Sequence, residues 1–151
     1  MKAQRKRLIG DQAFLITGLG LGFTFTVQIT TLTSGDFADP YAVITTISRF
    51  FALTGSYLAI IGLLLIARIP WVENALSHDR LVVWHRKAMP YALYMITLHV
   101  LLVGLGYAGA EGKIIAQELW IMTTTYPWML PALAGFLLLI AAGVTSYKNI
   151  S

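Results

Sequence analysis

His85 and His99 stand fourteen residues apart in a largely apolar stretch that runs from Trp84 to Val103. A helix rises about 1.5 Å and turns about 100° per residue. The spacing therefore gives about 21 Å of rise and leaves the two imidazoles within about 40° of one face. That rise covers most of a bilayer's hydrocarbon core, which is roughly 30 Å thick. One imidazole would lie near each membrane surface, on the same side of one helix. Imidazole is a common axial ligand of haem iron, and two haem irons stacked across a membrane need ligands placed this way. Zinc needs about four ligands converging on one point, which separation along a helix forbids. A lone intramembrane histidine can instead be held by a hydrogen bond to a neighbouring helix. Two on one face at opposite depths point to ligation, since ionisable residues within spans mark functional sites.

Arg49 is the other costly residue, in Ser48-Arg49-Phe50-Phe51. It lies eighteen residues up its helix from Ala67, as His99 lies eighteen residues up its own from Leu81. The two are expected at similar depth. Two readings are open for the guanidinium: a bidentate hold on haem propionates, or snorkelling to lipid phosphate. His78, in the polar Ser77-His78-Asp79-Arg80 segment, reads as a solvated histidine. Gly18, Gly20 and Gly22 contain a Gly-x-x-x-Gly spacing that suits a close helix contact. Pro90, one turn after His85, is a candidate kink. Tyr91, Tyr94 and Tyr107 read as packing or interfacial residues.

These residues need helices to position them, and the composition says of which kind. Hydrophobic residues make up 57% of the 151-residue chain and charged ones only 12%. A soluble domain is nearer about 45–50% and about 25%. Mean hydropathy is +0.70. The class expected is all-α, an integral membrane bundle of four transmembrane helices at about 12–32, 41–67, 81–107 and 128–147. A span takes about 20 mainly apolar residues, so the second and third are long enough to tilt or protrude. The apolar run after the basic start is too long for a signal-peptide core and has no clear cleavage site, which reads as an uncleaved first span. The segment 108–127 is only partly apolar. It is expected as a short surface helix and loop with Trp120, Tyr126 and Trp128 as interfacial anchors.

The charges orient the spans. Lys2, Arg5, Lys6 and Arg7 lie in a basic tail, residues 1–11. The first loop has Asp36 and Asp39 and no base, whereas Arg68, Arg80, Arg86 and Lys87 lie in or just beyond the second. Basic residues favour the cytoplasm. Both termini, including a short tail at 148–151, are therefore expected inside a multi-pass cell-membrane protein. The net charge of +4 is read as setting topology, and no nucleic acid is expected as a partner. Absence of cysteine excludes disulfides, iron–sulfur ligation and thiolate chemistry within this chain. No Gly-rich phosphate loop, nucleophile–base pair, or flavin or nicotinamide site is legible.

Several pieces together resemble one family. They are Ser48-Arg49-Phe50 through Thr54-Gly55, then Ala67-Arg68-Ile69-Pro70-Trp71-Val72-Glu73, Asp79-Arg80-Leu81, Trp84-His85-Arg86 and Leu98-His99. In order and spacing they resemble the ferric reductase-like transmembrane domain shared by ferric reductases and NADPH oxidases. That resemblance implies a six-helix core with two b-type haems, each held between a histidine of the third helix and one of the fifth. It implies that His85 serves a cytoplasmic haem and His99 an outer one. It also implies electron flow from NAD(P)H through FAD and both haems to an acceptor outside, making the protein part of an oxidoreductase. The sequence ends after the fourth helix, so it corresponds to the N-terminal four-helix portion only. The second iron ligands, and the FAD and NAD(P)H domains, are expected from missing or partner segments. The competing expectation is a non-catalytic membrane subunit or truncated remnant that binds no haem.

Overall fold

A computed structural model describes residues 2–148. Six α-helices follow one another: α1 (Lys2–Thr30), α2 (Pro40–Ile66), α3 (Pro70–Leu76), α4 (His78–Glu111), α5 (Ile115–Thr125) and α6 (Met129–Lys148), with a short 3₁₀ turn at Ser34–Phe37. No strand occurs among the described residues, and the fold class is all-α. Four helices are long and apolar enough to cross a membrane, over Leu8–Thr30, Pro40–Ile66, His78–Glu111 and Met129–Ser146. The chain is a multi-pass membrane protein. Of the expected tail at 148–151, Lys148 ends α6 and residues 149–151 lie outside the described residues, as do the side chains of Lys2, Arg5, Lys6 and Arg7. Helix α1 begins at Lys2, so the stretch expected as a basic tail forms the first turns of that helix.

Local chemistry sets the helix ends. Asp39 accepts hydrogen bonds from the N–H groups of Tyr41 (2.8 Å) and Ala42 (3.0 Å), and Pro40 follows it as the first residue of α2. The aspartate cap satisfies two orphan donors and the proline removes another. Pro70 likewise opens α3. Gly112 takes a positive φ of 66° and ends α4, with the Lys113 N–H returning to the Ala108 carbonyl at 2.8 Å. A left-handed glycine lets the chain turn back onto the last carbonyls. Pro90 sits inside α4, which continues through it. Threonines along α1 donate to carbonyls three or four residues back, as Thr17 does to Ala13 and Thr26 to Gly22. Their hydroxyls thus need no partner from the lipid.

The chain divides into two compact units. The first comprises residues 1–32 and 52–95, so it contains α1, the later part of α2, α3 and the start of α4. There α1 packs on α3, Phe14 and Trp84 stack at a tilt with centroids 4.8 Å apart, and Leu76, Leu81 and Ala92 are buried. The Tyr57 hydroxyl donates to the Thr17 carbonyl at 2.8 Å and lies where a Gly20 side chain would begin. Gly18 and Gly22, the pair with the four-residue spacing, meet nothing within 4 Å among the described residues. The close approach is therefore at Gly20 alone.

The second unit comprises residues 33–51 and 96–151. Here α5 packs on α6, and the end of α4 presents glycines to its neighbours. A Cβ at Gly106 would stand 2.2 Å from the Thr45 hydroxyl and 3.1 Å from the Tyr41 carbonyl. One at Gly104 would press on Ile115 and Leu119. Ala108, Met122, Thr46, Ser48 and Glu118 are buried. In both units large apolar side chains such as Phe23 and Leu138 remain exposed, as lipid-facing surface requires.

Candidate functional site

His85 lies on α4 two turns into the helix, and its half-buried ring meets α2. Its Nδ1 is 2.8 Å from the Gly62 carbonyl oxygen. A carbonyl can only accept, so Nδ1 carries the proton. The neutral ring then holds its lone pair on Nε2. Gly62 makes room for Met89 rather than for the imidazole: a Cβ there would stand 2.3 Å from Met89 Sδ but at an ordinary 3.7 Å from His85 Nδ1. Met89 is one turn beyond His85 on the same face of α4.

His99, in the second unit, repeats the arrangement. Its Nδ1 is 2.9 Å from the carbonyl oxygen of Ser48, a fully buried residue of α2. The same tautomer follows, with the lone pair on Nε2. Gly62 and Ser48 are fourteen residues apart, as are His85 and His99. Neither Nε2 has a hydrogen-bond partner among the described residues. Metal-bound histidines almost always donate their other ring N–H to a carbonyl, carboxylate or water, which fixes tautomer and ring direction. Both histidines make such a bond, which is also the contact that holds an intramembrane histidine to a neighbouring helix, and each keeps Nε2 as the ring atom that could ligate a metal. The remaining histidine, His78, opens α4 and stands 3.7 Å from Glu73. No group of three His, Cys, Asp or Glu side chains suited to a metal ion occurs among the described residues.

Arg49 follows Ser48 on α2, so it is next in sequence to the residue that receives His99. Its guanidinium donates to Asp36 at 2.6 Å. Asp36 also accepts from the Thr33 N–H (2.8 Å), the Thr33 hydroxyl (2.9 Å) and the Thr46 hydroxyl (3.3 Å). The Thr33 bonds, with the arginine beside them, lower the Asp36 pKa from 3.8 to about 2. A pocket of about 220 Å³ opens beside this cluster, lined by Asp36, Asp39, Thr45, Arg49 and Tyr107 among others. The arginine retains nitrogens that Asp36 does not occupy, and it is 46% exposed.

Residue type and spacing single out His85, His99 and Arg49 but not their partners. Gly62 and Ser48 act through main-chain carbonyls, which every residue has. Asp36 has only its place thirteen residues before Arg49 to signal it. A further ionic group also escapes a reading by residue type. Glu118 of α5 is buried, with Lys113 Nζ 3.4 Å from its Oε2, and Lys113 bonds Glu111 as well. Comparison of the chain with protein families, characterised proteins and solved structures finds no match.

Proposed function

We propose that this chain carries electrons across a membrane by holding two b-type haems, one on His85 and one on His99. It would do so as part of an oxidoreductase of the ferric reductase and NADPH oxidase kind. The observation that carries the reading is the paired histidine geometry: Nδ1 tied to an α2 carbonyl, Nε2 left with its lone pair, twice at matching spacing. The sequence resemblance supports the same reading. The second ligand of each iron, and the FAD and NAD(P)H domains, come from segments or subunits outside this chain. The protein lies in the cell membrane with both termini cytoplasmic, and the outside acceptor receives the electron.

A bound haem supplies reversible one-electron exchange at its iron. The chain's own residues do the rest. Gly62 and Ser48 hold the Nδ1 protons of the two imidazoles and so keep Nε2 available as donor atom. Arg49, anchored by Asp36, offers its remaining N–H groups to a carboxylate near the second histidine.

The test is spectroscopic. The chain is purified from its own membranes together with whatever subunits accompany it. A reduced-minus-oxidised spectrum of low-spin bis-imidazole haem b is expected. His85→Ala and His99→Ala should each remove one of two haems by pyridine haemochrome assay. Retention of both haems in both variants would overturn the ligand assignment. Absence of haem from the native assembly would favour a non-catalytic membrane subunit.

A further inference from the structure

One face of α4 carries a feature that the histidines do not use. Arg86, Lys87, Pro90, Tyr91 and Tyr94 line an open pocket of about 580 Å³ in the first unit. Lys87, Pro90, Tyr91 and Tyr94 follow the three- and four-residue spacing of one helical face. From His85 they lie about 140–240° around the helix, so this face is turned away from the carbonyl that His85 meets.

The pocket's chemistry is specific. Its two cations are exposed, no acidic side chain lines it, and neither cation has an ion-pair partner among the described residues. Tyr91 and Tyr94 are 61% and 65% exposed. Side chains on a helix tilt toward its N-terminus. The Tyr91 hydroxyl therefore reaches back toward the level of Lys87, and that of Tyr94 to about one turn short of it. Pro90 has no N–H, so the Arg86 carbonyl lacks its usual donor one turn on. Two cations, two hydroxyls and an acceptor-rich backbone gap are thus left facing the membrane, where unmet polar groups are costly.

We propose that this face of α4 binds an anionic phospholipid. The phosphate sits between Arg86 and Lys87, the tyrosine hydroxyls donate to its glycerol-linked oxygens, and a headgroup hydroxyl donates to the Arg86 carbonyl. The acyl chains continue along the aromatic rings. Charge complementarity selects this occupant. Amphipathic tyrosines suit a boundary lipid, with an apolar body and a polar tip. The site is independent of haem, requiring only that α4 stand in a bilayer.

Native mass spectrometry of the full chain, released from nanodiscs of mixed phosphatidylglycerol and phosphatidylcholine, reads the preference directly. A basic residue near an anionic surface favours binding roughly fivefold. Wild type should therefore retain phosphatidylglycerol about twentyfold over phosphatidylcholine. Arg86→Gln with Lys87→Gln should bring the ratio near unity, and each single change should cost about fivefold. Arg68→Gln should leave it unchanged. Tyr91→Phe with Tyr94→Phe should weaken retention without abolishing the preference. No preference in wild type, or one surviving the double charge change, would sink the proposal. Equal binding of sn-glycerol 3-phosphate in detergent would assign the site to free phosphate instead. Cross-linking of Lys87 to an acidic protein segment in native membranes would mark the face as a protein interface and likewise overturn it. Should the double variant not fold, the single variants and the loss of preference with rising salt decide the matter equally well.

Discussion

Asp36 gathers donors from three residues, and its charge is what holds them. Thr33 supplies two, Thr46 one and Arg49 one. The two Thr33 bonds first, and the Arg49 guanidinium after them, favour the ionised carboxylate, which is why its pKa falls to about 2. A depressed folded value contributes stability that is fully present above the unfolded value and is lost as pH falls through the folded one. For Asp36 that window runs from about pH 4 down to about 2. Thermal melts of detergent-solubilised protein should show wild type above Asp36→Asn at pH 7. The gap should close as the pH is lowered from about 4 toward about 2. A gap unchanged across that range would mean that the carboxylate's charge contributes nothing. Arg49 stands out in the sequence as a costly residue in want of a partner, because an arginine within a span is conspicuous. Asp36 does not stand out, because no helical or strand period joins residues thirteen apart across a turn. The histidines are legible for the same reason as the arginine. Their acceptors are not, since a backbone carbonyl leaves no mark on residue type.

At the scale of elements, length decides what can be read. The four long helices announce themselves through stretches of 18 or more residues with high mean hydropathy and few charges. The segment after Ala108 is readable as a short surface helix because it is only partly apolar and carries Trp120, Tyr126 and Trp128; α5 lies there, with Trp120 on it and the other two just beyond, all three exposed. Helix α3 is not readable: seven residues after a proline-capped start carry too little periodicity, and the segment reads equally well as loop. Glycine spacing misleads, because Gly18 and Gly22 match a contact motif while tight approaches fall at Gly20, Gly62, Gly106 and Gly109. Substitution separates these cases. Alanine in a helix interior gains about 0.5–1 kcal/mol over glycine. At Gly22, open on all sides among the described residues, that gain should appear as a small rise in melting temperature. At Gly106 the new methyl would meet the Tyr41 carbonyl and Thr45 nitrogen, at 3.1 and 3.3 Å, besides the Thr45 hydroxyl. Backbone cannot swing aside as a side-chain tip can, and overpacking costs about 1–3 kcal/mol. Gly106→Ala should therefore melt lower than wild type while Gly22→Ala does not. Equal shifts in the two would show that α4 and α2 are not in close contact at Gly106.

For the molecule as a whole, the distribution of cations predicts how the chain threads the bilayer. Lysine and arginine near span ends set orientation, while acidic residues contribute little. Four cations precede the first span, and Arg68, Arg80, Arg86 and Lys87 cluster around the second connection. The first connection has none, and the third has Lys113 alone. That lysine is bound by Glu111 first and Glu118 second, which raises its pKa above the usual lysine range and satisfies its charge within the chain. The bias therefore favours the N-terminus and the second connection on the cytoplasmic side. Because the chain has no cysteine, each introduced thiol reports a single position. Ser34→Cys in the first connection and Gln117→Cys on α5 should react with a membrane-impermeant maleimide in intact cells. Asn74→Cys on α3 should react only after the membrane is permeabilised. All three sites are exposed, so a failure to label reflects sidedness rather than burial. The reverse pattern would invert the chain. On the proposed function it would then put His99 rather than His85 nearest the cytoplasmic donor, and electrons moving outward would enter at the ring held by Ser48.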